Sequence, residues 1–202
     1  MRKSLQLQAE MTQEFGTCVF DVTLDCEDGA PVGGEAEHAV LVTELALAAA
    51  PQARVGVRVH PVDHPAFEAD VSYIASRAGQ RLTHIMVPKV EGPEDIHYVD
   101  RLLAQLEAKA GLRTPLLVHA ILETARGVAN IEAICAASPR MQGLSLGPAD
   151  LAANRRMKTT RVGGGHPDYV VRVDPPVGAD GPAYDAPRAT FQQDLWHYTI
   201  AR

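Results

Sequence analysis

The sequence predicts an α/β protein built as a (β/α)8 TIM barrel that is incomplete, with about five βα units present; a doubly wound sheet is the competing architecture. Three observations predict it. Short apolar runs rich in branched residues alternate with stretches of helical period between residues 17 and 153. The polar residues that close these runs (Glu27, Arg58, Lys89, Glu123 and Asp150) recur at intervals of 31, 31, 34 and 27 residues, the length of a strand–loop–helix unit. Because every run ends on a charged residue, the barrel is preferred, since barrel sites draw on several strand ends at once. No self-similarity accompanies the spacing, so the architecture repeats and the sequence does not.

Taken in order, residues 3–14 read as an exposed or amphipathic helix with Leu5, Leu7 and Met11 as its apolar positions. Residues 17–24 (TCVFDVTL) are β-branched and aromatic, hence a strand, and run into the acidic turn Asp25-Cys26-Glu27-Asp28-Gly29. Residues 33–50 carry an apolar stripe of Ala39, Val40, Val42, Leu45, Ala46 and Ala49, a helix. A strand at 55–59 ends at Arg58-Val59-His60-Pro61, a helix spans 67–78, and a strand at 83–87 stops at Pro88-Lys89. Residues 93–110 are the clearest helix, with proline at its start and Gly111 just past its end.

The stretch 116–153 reads as strand, loop, helix, strand, loop. The run 116–122 ends on Glu123; Val128, Ile131, Ile134 and Cys135 fall at helical spacing; Pro139 stops that helix; and the run 141–146 ends at Gly147-Pro148-Ala149-Asp150. Residues 154–190 are Gly/Pro-rich and polar, predicted as a long loop without period, and a last helix is predicted from near Thr190 to Arg202. The whole chain, 1–202, reads as a single domain. A complete barrel takes about 250 residues, so five units point to a fragment or a shortened gene product.

Composition narrows the function. An apolar fraction of 46% with 22% charged residues is that of an ordinary globular protein able to bury a core. A net charge of −6 and the absence of any Lys/Arg cluster argue against nucleic acid as a partner. Cys18, Cys26 and Cys135 form no CxxC pair, and their apolar contexts predict buried, reduced thiols. The N-terminal stretch is basic without an apolar h-region, and no run approaches a membrane span. The expectation is a soluble, cytoplasmic protein without a membrane partner.

Glu123 and Asp150 are the strongest candidates for chemistry. Ends of successive parallel strands lie side by side, so the two carboxylates are expected to repel unless one stays protonated or a hard divalent ion lies between them. The alternative is that each merely caps the next helix by accepting backbone N–H bonds. Arg58 likewise has two readings: a binder of a planar carboxylate, or a salt-bridge partner of Glu27 or Asp28. Lys89 either orders the acidic residues or faces solvent, and His60 and His119 read as structural. Gly163-Gly164-Gly165 lacks the Lys-Ser/Thr of a P-loop and reads as a mobile loop near the mouth of the site.

The strings LDCEDGAP, VRVHP, MVPKVEG, AILETARGVANIEAI and LSLGPADLAA, in this order and spacing, resemble the HpcH/HpaI aldolase and citrate lyase β-subunit family, on its malyl-CoA lyase side. The resemblance covers residues 17–153 and extends more weakly through KTTRVGGGHPDY and DLWHYTIAR. It implies a TIM barrel of the phosphoenolpyruvate/pyruvate type and a Mg²⁺-dependent carbon–carbon lyase acting on an acyl-CoA thioester such as malyl-CoA or citryl-CoA. It also implies a homo-oligomer, trimer or hexamer, in the full-length form. By the same resemblance Glu123 and Asp150 ligate the metal, with Glu123 also at the substrate. Arg58 holds the substrate carboxylate and the developing oxyanion, Glu27 and Asp28 hold waters on the metal or orient Arg58, and the triple glycine touches CoA. These types suit an enolate intermediate, whose oxygen a metal and a guanidinium both stabilise. Two departures stand out: nothing before Thr17 matches the family's CoA-binding arginine strand, and the family's C-terminal acid/base aspartate is absent. The isolated chain is therefore expected to be inactive. Two other functions compete: a metal-dependent aldolase of free 2-oxo acids such as pyruvate, and a truncated barrel that binds without catalysing.

Overall fold

Four residues make the first strand. β1 (Val22–Asp25) buries Val22 and Leu24 and leaves Thr23 and Asp25 on its other face, the period-2 alternation of a strand covered on one side. Ahead of it lies α1 (Arg2–Phe15), closed by Gly16 in the left-handed conformation. Its apolar positions include Leu5, Leu7 and Met11, yet its buried residues are Gln8 and Thr12. The Gln8 amide donates to the carbonyls of Phe20 and Arg54 (2.7 and 2.9 Å), so α1 is tied by hydrogen bonds to the N-terminal end of the sheet. Leu7 is left exposed.

The pattern then repeats. α2 (Glu35–Ala48) leads to β2 (Val55–Arg58), and α3 (Phe67–Ala78), with a 3-10 turn at Gly79–Arg81, leads to β3 (His84–Val87). α4 (Pro93–Ala110) leads to β4 (Leu117–Leu122). One helix was expected after β4. The structure has α5 (Ala125–Ala129) and α6 (Ile131–Ala136), broken at Asn130, whose side chain donates instead to the Glu91 carbonyl at 2.8 Å. β5 (Met141–Leu146) and α7 (Pro148–Asn154) complete five parallel units in the order β1-β2-β3-β4-β5. The sheet is an open one and does not close on itself among the described residues.

Register decides which side chains share a face. Thr23, Gly56, His84 and Leu117 align across four strands, and Asp25, Arg58, Met86, His119 and Gly143 align one step further on. On the opposite face Leu24, Val57, Ile85, Val87, Val118 and Ala120 are buried with Phe67, Ile74, Ile96, Leu103 and Ile134 of the helices. Each such large side chain contributes about 1.5–3 kcal/mol. At Gly56 a Cβ would run into the His84 ring, so the row of polar side chains needs a glycine there.

The computed structural model describes residues 1–157, 160, 162, 170–175, 177–182, 185, 190–192 and 196–202. It divides into two compact units, Met1–Arg156 and Met157–Arg202, where the sequence read one domain. The second unit is not the featureless loop expected over 154–190. β6 (Val170–Arg172) pairs antiparallel with β9 (Thr190–Gln192), and β7 (Val177–Gly178) pairs with β8 (Gly181–Pro182). Strands of two or three residues are too short to show a period. The helix expected from Thr190 is confined to α8 (His197–Ala201), because β9 occupies its predicted first residues. The triple glycine at 163–165 lies outside the described residues.

Of the cysteines only Cys26 is buried, and that burial pushes its thiol up to about 12. Cys135, expected inside, is exposed on α6, because that short helix turns Ile134 inward and its neighbour out. Among the described residues no helix is long and apolar enough to cross a membrane.

Candidate metal and substrate site at the carboxyl ends of the strands

All five charged residues that the sequence marked at strand ends lie at the carboxyl end of the sheet, and side chains from all five units interact there. Asp25 and Arg58 are register partners on β1 and β2, and their side chains pair through two bonds. Arg58 Nε donates to Asp25 Oδ1 at 2.8 Å and Nη2 to Oδ2 at 2.7 Å. The third nitrogen, Nη1, lies 3.0 Å from Glu27 Oε2 and 3.5 Å from Asp28 Oδ2. The bond to Asp25 raises the guanidinium above its usual range, against the cost of partial burial. Burial acts to raise the Asp25 carboxyl, but the Arg58 bond and backbone N–H groups of Glu27 and Gly29 hold it below its ordinary value.

Lys89 links that pair to the other carboxylates. Its ammonium lies 2.5 Å from Glu27 Oε1, 2.9 Å from Asp150 Oδ2 and 3.9 Å from Glu123 Oε2. Glu123, just past β4, and Asp150, in the first turn of α7, thus face one common point. Glu123 is only 6% exposed, and its Oε2 makes no hydrogen bond. Burial first, and then the charges of Glu27 and Asp150, push its carboxyl up to about 7 against the pull of Lys89 and Arg58. Gly147 makes room for this side chain: a Cβ there would overlap Glu123 Cγ and its carboxylate. Neither acid is used as a side-chain helix cap. Thr124 caps α5, its hydroxyl accepting from the Gly127 N–H, and no side-chain cap bond is made to α7.

The donor set suits a hard divalent cation. The oxygens are carboxylates, one is buried without a partner, and a glycine clears the space behind it. Among the described residues no three His, Cys, Asp or Glu side chains are placed to ligate one ion. The protein's share here is two carboxylates, the number typical of Mg²⁺ sites that complete their shell with water and substrate.

Sequence reasoning passed over Asp25 and Gly147. Asp25 carried a signal, since it precedes Glu27 by two residues and occupies the same strand end; Gly147 carried none. The two histidines read as structural both have side-chain partners. His119 Nε2 lies 2.8 Å from Ser145 Oγ, and His60 Nδ1 lies 2.5 Å from the buried Asp70. A cavity of about 370 Å³ lined by Asp63, Lys89, Glu91, Thr124 and Arg126 adjoins the cluster. A larger one, about 620 Å³, opens at the amino ends of the strands beside Leu82, Pro115 and Arg140 and holds none of the strand-end acids. The chemistry favours the first.

The chain resembles known proteins over this same region. The HpcH/HpaI aldolase/citrate lyase family model matches residues 5–169, which takes in most of α1 as well as the five parallel units. A malyl-CoA/β-methylmalyl-CoA/citramalyl-CoA lyase of Chloroflexus aurantiacus is 57% identical over 146 residues, 72% of this chain and 40% of that protein. An L-malyl-CoA/β-methylmalyl-CoA lyase of Cereibacter sphaeroides is 41% identical over 120 residues, 59% of this chain and 38% of that protein. The chain therefore spans about 40% of the length of these curated relatives. Among solved structures, a citrate lyase of Burkholderia xenovorans aligns with TM-score 0.67 and 34% identity over 76% of this chain and 47% of that one. Protein CitE of Mycobacterium tuberculosis, in complex with magnesium and acetoacetate, aligns at TM-score 0.58 and 22% identity over 90% of this chain and 56% of that one, a likeness of fold.

Proposed function

The chain belongs to the HpcH/HpaI aldolase/citrate lyase family, and from that premise we propose that it carries the metal half of a carbon–carbon lyase site for a 3-hydroxyacyl-CoA thioester such as malyl-CoA or citryl-CoA. The observation that carries the reading is that Glu123 and Asp150, with Glu27, all approach the Lys89 ammonium at the strand ends, with Arg58 joined to them through Glu27. The curated relatives named as malyl-CoA lyases support the thioester class.

Glu123 and Asp150 would hold Mg²⁺, and the magnesium in the complex of protein CitE favours that ion. When bound, the ion supplies a Lewis acid that lowers the energy of negative charge on a substrate oxygen. In cleavage the β-hydroxyl gives up its proton to a base as the bond between the thioester's α- and β-carbons breaks, and the electron pair of that bond passes to the α-carbon as an enolate. The hydroxyl carbon leaves as a carbonyl compound, and the enolate takes a proton at its α-carbon to give the shorter acyl-CoA. Arg58 supplies a second, fixed positive charge for a carboxylate or the enolate oxygen, its Nε and Nη2 held by Asp25 and its Nη1 beside Glu27. Asp25 holds the guanidinium in one orientation, so little reorganisation is needed as charge develops. Glu27 lies between Arg58 and Lys89 and fixes the spacing of the two cations, while the exposed Asp28 contributes a weaker, screened contact to Arg58. The setting proposed is the cytoplasm, in a homo-oligomer.

Mn²⁺ binding to the protein, followed by electron paramagnetic resonance, tests the metal ligands. Glu123→Ala and Asp150→Ala should each abolish it without loss of the folded circular-dichroism spectrum. Arg58→Lys should leave Mn²⁺ binding intact and lower kcat/KM for malyl-CoA or citryl-CoA by about tenfold or more, because an ammonium cannot keep the paired bonds to Asp25 that hold the charge in place for the transition state. Mn²⁺ binding that survives both alanine variants would end the proposal.

A further inference from the structure

One cation already lies among the carboxylates proposed as metal ligands. Lys89 Nζ reaches Asp150 at 2.9 Å and Glu27 at 2.5 Å, and it is the cation nearest the unpartnered Glu123 Oε2, at 3.9 Å. Its backbone has φ 53°, the left-handed region that a side chain with a Cβ seldom occupies. Such a conformation costs of order 1–3 kcal/mol and persists only where the surroundings hold it. Here the ion pairs to Glu27 and Asp150, on two different elements, do so. Pro88 precedes it, and β3 ends one residue earlier. A lysine serving only the surface would need neither the turn nor the three acids.

We propose that Lys89 is the resident counter-ion of the carboxylate cluster and a competitor of the divalent cation: it gives up Asp150 and Glu123 when the ion binds, keeps Glu27, and so sets the affinity of the site. Without it, Glu123 and Asp150 would face Glu27 with Arg58, on the far side of Glu27, as the remaining cation of the cluster, at a cost that grows with burial. With it, the carboxylates are held in place and part of their charge is offset, and a metal binds only by displacing a tethered charge. Lys89 acts through Glu27, Glu123 and Asp150 and is a positioning residue. The inference rests on the reading of Glu123 and Asp150 as the metal ligands, and its test separates the two.

The experiment measures Mn²⁺ affinity by electron paramagnetic resonance, and the melting temperature with and without Mn²⁺, for wild type, Lys89→Met and Lys89→Arg in the full protein. Lys89→Met should bind Mn²⁺ about tenfold or more tightly, the size expected for removing one charge next to the site at moderate screening. It should also melt at a lower temperature without metal and gain more on adding it. Lys89→Arg, which keeps the charge, should stay within about threefold of wild type. A Lys89→Met protein that binds Mn²⁺ no better than wild type, or more weakly, overturns the inference and leaves the metal ligands standing. Wild-type protein that binds no Mn²⁺ at all overturns both. If Lys89→Met does not fold, acylation of Lys89 in wild type, read by mass spectrometry, decides. Mg²⁺ should speed it by freeing the amine from Asp150, and an unchanged or slower rate refutes the displacement.

Discussion

Glu123 owes its place to what Gly147 lacks. The carboxylate lies where the Cβ of any other residue at 147 would be, and the ordinary φ of that glycine, −98°, means that space and not backbone freedom is the reason. Gly147→Ala should therefore push Glu123 out of line. The expected outcome is a stability loss of about 1–3 kcal/mol from overpacking, together with Mn²⁺ affinity reduced by about tenfold or more. Urea denaturation and metal titration on the same protein measure the two effects. Unchanged affinity would mean that the site tolerates a displaced Glu123. Arg58 depends on its neighbour in the same way, since Asp25 and not Glu27 or Asp28 makes the paired bonds that aim it.

At the scale of the elements, α4 is the best anchored. Asp95 accepts from the N–H groups of Glu91 and Gly92 at its start, and Gly111 ends it in the left-handed conformation. Arg140, just ahead of β5, fastens it to the sheet. The guanidinium donates twice to Glu107 (2.6 and 2.7 Å), once to Asp100 (2.5 Å) and once to the Leu116 carbonyl (3.0 Å). Burial would raise the Asp100 carboxyl, yet Arg140 and Ser138 hold it below its ordinary value. Arg140→Met should cost about 2–4 kcal/mol, because Glu107 keeps its charge in a half-buried place without its partner. Mn²⁺ affinity should not change, since this network lies at the amino ends of the strands. A chemical denaturation curve superimposable on wild type would show the network to be idle.

At the scale of the whole molecule, the five-stranded sheet has two outer edges, on β1 and β5, that pair with nothing among the described residues. Unpaired edges of a parallel sheet are templates for association. The face that carries Thr23, His84, His119 and Ser145 also exposes Leu117 at 37%. The 202-residue chain expressed by itself should consequently self-associate or aggregate, and light scattering after size-exclusion chromatography reads this directly. A monodisperse monomer that unfolds cooperatively would show that the edges are protected.

Much of this was decided locally and was legible in the residues. Strand and helix alternate because β-branched runs and 3.6-residue apolar periods exclude each other, and the limits of α3, α4 and β5 follow from that pattern with proline and glycine at the ends. Glu123 and Asp150 could be marked for the same reason, as charged residues where apolar runs stop. The break at Asn130, the polar contact face of α1 and the short strands after residue 157 could not, since each depends on a partner remote in sequence or on strands too short to show a period. Tertiary structure alone chose Asp25 as the partner of Arg58, turned Lys89 inward and required Gly147 behind Glu123. The register that brings residues 25 and 58 side by side is set by pairing across some thirty intervening residues, and the room for a carboxylate is set by what the neighbouring strand omits. Local propensity carries no information about either.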